Sequence, residues 1–224
     1  SEFYREEEGV QEPCREREFV ECYAPGKNDA GLMDLILSLY DFSMSYPWPV
    51  KWLRACGRAY EIENEQELSA AAWMKPLLAN VQFLLEECLA NVRMALEICR
   101  QKDGPYMYEK AFLDDLILLE ELSECRDYLE YAKAFQKVGS YTRLSTKKDA
   151  MVSEEKKEQV KGIREQVKKH LKSIREQYFY QTPERMAADL RESREQMTVL
   201  LDLVCAFHER FAEKKREKNL LDFN

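Results

Sequence analysis

The chain has 224 residues, 34% of them charged, with only seven Gly and seven Pro, so it is long enough to bury a substantial core and rich in helix formers. No apolar run approaches the roughly 20 residues that cross a bilayer, and residues 1–8 are acidic without an apolar signal core, which points to a cytoplasmic location and no membrane partner. The net charge of −8 hides an asymmetry: residues 1–132 carry 13 Lys+Arg against 27 Asp+Glu (net −14), and residues 133–224 carry 21 against 15 (net +6), so the second part is the one suited to meet a polyanion.

In chain order, residues 1–28 form an acidic lead-in broken by Gly9, Pro13, Pro25 and Gly26, with a short helix predicted from about Arg15 to Cys22. Asp29 is placed to cap a helix whose apolar stripe is Leu32, Leu35, Ile36, Leu39 and Tyr40, extending to Phe42, a 3.6-residue period. Tyr46-Pro47-Trp48-Pro49 ends it, because a residue before proline is pushed out of helical geometry, and Pro49 is suited to open the next helix through Trp52, Leu53, Cys56 and Tyr60. Asn64 and Glu67 have capping-box spacing. Helix is predicted from there to about Gln101, divided at Pro76, followed by a turn at Asp103-Gly104-Pro105. A single helix is predicted from about Glu109, through Phe112, Leu119 and Leu129, to Gly139.

The last two predicted helices are the most regular. Val160, Ile163, Val167, Leu171, Ile174 and Tyr178 line one of them; Met186, Leu190, Ser193, Met197, Leu200, Val204, Phe207 and Phe211 form a heptad-like seam in the other. Thr182 as N-cap and Pro183 as first helical residue give a tight connection, so the pair is expected to form a long antiparallel hairpin. The apolar step Leu220-Leu221-Asp222-Phe223 reads as a continuation beyond the final helix. With no strand candidate, the expected fold class is all-α: lead-in 1–28, helical subdomain 29–139, basic and polar loop 140–155, hairpin 156–224.

Catalytic patterns are missing. No glycine cluster precedes a Lys-Ser/Thr pair to cradle phosphates, and Gly-x-Ser-x-Gly, His-Glu-x-x-His and paired Glu-x-x-His motifs are absent. The seven Cys are odd in number and lack Cys-x-x-Cys spacing, so they read as reduced, inert, buried thiols. Cys205 and His208 share a helix face but read as a core thiol beside a partly exposed imidazole. Asp114-Asp115 and Glu120-Glu121 read as the solvated face of a helix, with no basic residue near them in sequence. Neither a metal nor a catalytic residue is expected here.

One stretch carries a binding signal. From 133 to 148 the chain holds Lys133, Lys137, Arg143, Lys147 and Lys148 with no acid, interleaved with Phe135, Tyr141, Ser140, Thr142, Ser145 and Thr146. Such a loop neutralises phosphates while a ring packs on a sugar or base. The candidate nucleic-acid contacts are Lys133, Lys137, Tyr141, Arg143, Lys147 and Lys148. The competing reading is a solvated interhelical loop with Phe135 and Tyr141 tucked into the core. Lys156, Lys157, Lys161, Lys168, Lys169 and Lys172 alternate with Glu and read as a solvated, salt-bridged helix face.

Leu35-Ile-Leu-Ser-Leu-Tyr-Asp-Phe-Ser43 with Ser45-Tyr-Pro-Trp-Pro49 and Trp52-Leu53, then Phe112-Leu-Asp-Asp-Leu116, then Tyr178-Phe179, Thr182-Pro-Glu184, Lys218 and Leu221-Asp222-Phe223 together resemble the AddA (RexA) family of the bacterial AddAB helicase–nucleases, of the UvrD-like superfamily 1. Tyr46 stands where that family usually has histidine, and Trp48 where it usually has a small acidic residue. The resemblance implies the helical 1B insertion between the Walker A and Walker B halves of the first motor domain. The parent would be a bacterial, cytoplasmic, ATP-dependent 3′→5′ DNA helicase and Mg-dependent nuclease acting in double-strand break repair by homologous recombination. ATP and Mg would be cofactors of that parent, with none expected in this stretch. Implied partners are DNA at a single/double-strand junction, the remaining motor domains and an AddB-type partner subunit. The function expected is non-catalytic DNA guidance; the alternative is a helical protein-interaction module docking on the partner nuclease subunit or the motor core without touching DNA.

Overall fold

In the computed structural model, residues 15–24 and 29–218 are described; the expectations on Gly9, Pro13, Pro25 and Gly26 of the lead-in, and on Leu220-Leu221-Asp222-Phe223, lie outside them. Among the described residues nine α-helices and no strand occur, so the chain is all-α. The helices are α1 (Arg15–Tyr23), α2 (Ala30–Ser43), α3 (Pro49–Arg58), α4 (Glu65–Ala70), α5 (Met74–Cys99), α6 (Glu109–Ser123), α7 (Tyr128–Phe135), α8 (Glu154–Tyr178) and α9 (Pro183–Glu217). They fall into two compact units, Ser1–Glu61 with Asp189–Asn224, and Ile62–Ala188.

Local chemistry sets most boundaries. The side-chain carbonyl of Asn64 accepts from the Glu67 amide at 2.9 Å, and the Glu67 carboxylate accepts from the Glu63 amide at 3.0 Å, which starts α4. Pro49 opens α3, where its missing N–H is no loss. Thr182 accepts from the Arg185 amide at 3.3 Å ahead of Pro183.

Two boundaries differ from expectation. The break before α5 falls at residues 71–73, and Pro76 sits inside the first turn of α5, where no intrahelical donor is needed. The helix expected from Glu109 to Gly139 is two helices. Asp127 adopts extended geometry and accepts from the Glu130 amide at 2.9 Å, while Glu130 accepts from the Arg126 amide at 2.8 Å. This reciprocal cap ends one helix and starts another.

In the unit Ile62–Ala188, α5 packs against both α6 and α8. Its core includes Met74, Val81, Leu85, Cys88 and Val92 of α5, Phe112 and Leu119 of α6, and Val160, Val167 and Leu171 of α8. Tyr128, Tyr131 and Phe135 of α7 gather on Phe179, with ring centroids 5.4, 6.0 and 4.6 Å away. At the turn before α6, a Cβ on Gly104 would lie 2.1 Å from the Ile98 carbonyl oxygen, so only glycine fits.

In the other unit, Phe19, Ala24 and Leu32 cluster with Val199 and Leu200, and Tyr40 and Leu53 with Leu201, Val204 and Cys205. The buried face of α9 here is therefore broader than a strict heptad seam: Val199, Leu200 and Leu201 are all buried. Tyr40 meets Phe207 and Phe211 edge-on, at centroid distances of 5.1 and 5.8 Å.

Candidate nucleic-acid interface

The basic stretch begins in α7 and leaves it through Gly139, whose φ of +118° is one that residues with a Cβ rarely adopt. It then runs without regular structure to the start of α8, whose N-cap Ser153 accepts from the Lys156 amide. Three hydrogen bonds fasten it. The Arg175 guanidinium donates to the Val138 carbonyl at 2.6 Å, Thr142 Oγ1 donates to Asp114 at 2.6 Å, and Arg164 Nη2 donates to the Thr142 carbonyl at 2.8 Å. Arg164 also forks onto Asp115, and both side chains are buried.

Asp115 is thus a correction to the sequence reading. It does not belong to a solvated face, because α6 turns it inward onto an arginine 49 residues away. Arg164 was missed altogether, although a signal existed: positions 160, 164, 167, 171 and 174 step 4, 3, 4, 3 along the buried seam of α8, and Arg164 is the charged member. Phe135 is buried, as the loop reading with tucked aromatics requires, and Tyr141 is half-buried.

The six candidate residues do not share one environment. Lys133, Arg143 and Lys148 are exposed and, among the described residues, pair with no carboxylate. Lys137 is held by Glu121 at 2.6 Å. The Lys147 ammonium lies 5.0 Å from the ring centroid of Tyr106, and a hydrogen bond with the Tyr106 hydroxyl holds its pKa above the usual lysine value. Tyr106 in turn donates to Asp149 at 3.0 Å. Tyr141 lies beneath the Lys168 ammonium, 5.2 Å from the ring centroid. Burial, with a smaller contribution from the Asp115 charge, pushes its phenol up to about 12.

Tyr141 and the backbone at Val138 and Gly139 form one wall of a groove of about 390 Å³. The other wall is α8, with Lys168, Lys169, Lys172 and Arg175 flanked by Glu165 and Glu176. The salt-bridged face expected of this helix is largely present. Lys161 pairs with Glu158 at 2.7 Å, Lys168 with Glu165 at 2.9 Å and Lys172 with Glu176 at 3.7 Å, and Lys156 pairs with Asp103. Lys157 departs from it, being buried against Glu154 at 2.6 Å. Lys169 is exposed and, among the described residues, unpaired. The groove lining itself holds four basic side chains, Lys168, Lys169, Lys172 and Arg175, against two acidic ones, a surplus of positive charge that includes none of the loop's own candidate cations. Such a surface suits a phosphate backbone in chemistry and sign.

Cys205 and His208 do not point to a metal site. Cys205 is buried beside Arg54, burial raising its thiol pKa, while the His208 ring packs 5.9 Å from Tyr40. Among the described residues no group of three or more His, Cys, Asp or Glu is placed to hold a metal. Cys88 and Cys99 are buried free thiols whose pKa burial pushes to about 11, so they are inert; Cys22 is exposed. No helix among the described residues is long and apolar enough to cross a membrane.

No family model matches the sequence. Curated proteins do. The chain is 40% identical over 212 residues to the A-type subunit of the ATP-dependent helicase/nuclease of Lachnoclostridium phytofermentans, covering 92% of this chain and 15% of that protein. It is 33% identical over 208 residues to the protein of the same name from Clostridium botulinum, and 30% identical over 212 residues to that from Acetivibrio thermocellus, in each case covering 92% of this chain and 17% of the relative. The chain thus spans about one sixth of the length of the relatives it matches.

Proposed function

We propose that this chain, which is homologous to one segment of the A-type subunits of ATP-dependent helicase/nucleases, is a non-catalytic insertion domain that guides DNA. The parent in this reading is a bacterial, cytoplasmic 3′→5′ helicase and nuclease of double-strand break repair by homologous recombination. The segment corresponds to the 1B insertion of its first motor domain; ATP and Mg²⁺ belong to other parts of that protein. Its partners are a single/double-strand DNA junction, the remaining motor domains and an AddB-type partner subunit.

The observation that carries this reading is the pinned basic loop. A loose, solvated basic loop without acids would spread its cations over many conformations. Here the guanidinium groups of Arg164 and Arg175 hold the loop backbone at Thr142 and Val138, so the chain that carries these cations is fastened to α8 at two points. Fixed cations lose less conformational entropy on meeting phosphates.

Binding of the 224-residue chain to a fluorescent single/double-strand junction at 50 and 200 mM salt tests the proposal. Replacing Lys137, Arg143, Lys147 and Lys148 by Ala is expected to weaken binding and flatten its salt dependence, by a slope of about one per lost phosphate contact. Unchanged affinity and slope would remove the loop from the DNA path. A second reading, docking on the partner nuclease or the motor core without DNA contact, draws on Met33 and Leu35 of α2, which are each 45% exposed. It requires that the junction not bind at either salt concentration.

A further inference from the structure

We propose that the surface formed by the end of α2, the 44–48 turn and α3 binds single-stranded DNA, with bases stacking on Trp48 and its aromatic neighbours and Lys51 and Arg58 meeting phosphates. The inference rests on the reading that this chain contacts DNA, but on residues of the other compact unit and on separate observations.

The first observation is an exposed aromatic platform. Phe42, Tyr46 and Trp48 are 56, 37 and 73% exposed, although burying such rings is among the larger gains of folding. Tyr46 and Trp52 stack with centroids 4.4 Å apart and planes 14° apart, and Phe42 lies 5.4 Å from Trp52 and 5.9 Å from Tyr46. The backbone beneath is stiff. The Ser45 and Tyr46 amides donate to the Phe42 and Ser43 carbonyls, and Pro47 and Pro49 fix φ on either side of Trp48. The Phe42, Tyr46 and Trp52 rings are held against one another, and the Trp48 ring is presented to solvent from a restricted backbone, so a stacking base has little backbone freedom to freeze out.

The second observation is charge. α3 carries Lys51, Arg54 and Arg58 and no acid, within a portion of the sequence whose net charge is −14. The three cations fall at i, i+3 and i+7, one stripe of the helix. Lys51 lies three residues beyond Trp48 and one before Trp52. Lys51 and Arg58 are exposed and pair with no carboxylate among the described residues, whereas Arg54 sits beside Cys205. Asp41, next to Phe42, is the carboxylate nearest the platform in sequence and is also exposed.

The combination selects the occupant. A proline-rich peptide docks on aromatic rings but carries no repeating negative charge to meet two unpaired cations. Duplex DNA offers phosphates, but its base faces are already stacked on one another. Unpaired bases joined by phosphates match both features, which are the two components of sequence-tolerant single-strand binding.

The test uses the 224-residue chain, a dT20 oligonucleotide, an abasic 20-mer of the same backbone and a 20-base-pair duplex, read by anisotropy and tryptophan fluorescence. The unaltered chain is expected to bind dT20 with quenching and the abasic strand more weakly. Trp48→Ala should lower dT20 affinity about ten-fold, the scale of one lost base stack, erase the preference over the abasic strand and leave duplex affinity unchanged. Lys51→Ala with Arg58→Ala should weaken both single strands and flatten their salt dependence. Trp48 is so exposed that its replacement leaves the core intact, and the abasic comparison on the unaltered chain needs no variant. Equal binding of dT20 and the abasic strand, full affinity in Trp48→Ala, or no dT20 binding at all overturns the proposal. So does a dimer that Trp48→Ala dissociates without changing dT20 affinity, which would make the patch a self-association face. The loop variant, carried alongside, separates the two ideas: junction binding indifferent to the loop but dT20 binding sensitive to Trp48 sinks the loop reading alone, and the reverse pattern sinks the platform alone.

Discussion

Arg164 of α8 grips Asp115 of α6 with two hydrogen bonds, Nε to Oδ2 at 2.5 Å and Nη2 to Oδ1 at 2.9 Å, with the arginine 2% and the aspartate 6% exposed. The same Nη2 reaches the Thr142 carbonyl. One buried cation therefore joins two helices and anchors the basic loop between them. Breaking a buried pair by removing one partner leaves an uncompensated charge. Asp115→Ala is expected to cost about 3–5 kcal/mol in denaturant unfolding. An Asp115→Leu, Arg164→Met double variant should recover most of that stability but leave residues 140–148 more mobile, read as lower backbone order parameters by NMR, because the Thr142 carbonyl has lost its donor. Equal destabilisation in the single and double variants would contradict this account.

Stability should fall in strong base. Burial pushes the phenols of Tyr128 and Tyr141 from 10.0 to about 12, and the thiols of Cys88 and Cys99 from 9.0 to about 11. Below the unfolded values both states hold these protons and nothing is lost. Above them the unfolded chain ionises first, so stability drops as pH rises from about 9 towards 12. Guanidinium midpoints at pH 8, 9.5 and 11 measure the slope. Tyr128→Phe and Tyr141→Phe should each make it shallower, and an unchanged slope in both would assign the loss elsewhere.

Two glycines should respond in opposite directions. A Cβ on Gly104 would sit 2.1 Å from the Ile98 carbonyl oxygen and 2.7 Å from that of Cys99, both backbone atoms that cannot yield. Gly104→Ala should destabilise by about 3 kcal/mol, the upper part of the range for overpacking. A Cβ on Gly162, exposed in α8, meets nothing within 4 Å. Gly162→Ala should stabilise by about 0.5–1 kcal/mol through helix propensity. Thermal unfolding of the two variants decides both.

Lys169 offers a single-residue probe of the groove. It is exposed and unpaired among the described residues, so Lys169→Glu should leave the melting temperature within experimental scatter. Junction affinity should nevertheless fall, and the salt slope should drop by about 1, as expected when a phosphate contact is lost. Lys161→Glu, directed at a lysine already bound to Glu158, is the matched control for charge alone.

Helix existence, several caps and the basic stretch were legible without a structure because they depend on neighbours in sequence. Asn64 with Glu67, Pro49 at the head of α3 and Thr182-Pro183 at the head of α9 each act within a few residues. The split at Asp127 was equally local but was hidden by the apolar spacing that runs from Phe112 to Leu129. The site was less legible. Lys133, Lys137, Arg143, Lys147 and Lys148 stood out as a run, whereas Tyr141 joins Lys168 and Lys169 only because the loop folds back on α8.

The sequence by itself determined an all-helical chain, an acidic part followed by a basic one, and the absence of catalytic motifs, since periodicity, capping and charge are properties of residues and their near neighbours. Only the tertiary structure decided which charges are spent and which are free. Asp115 and Arg164 are 49 residues apart and neutralise each other in the interior, while Lys169 keeps its charge in water beside helix partners that do not. The physical reason is that a charge is governed by its surroundings: burial demands a partner, and partners are supplied by packing between distant segments.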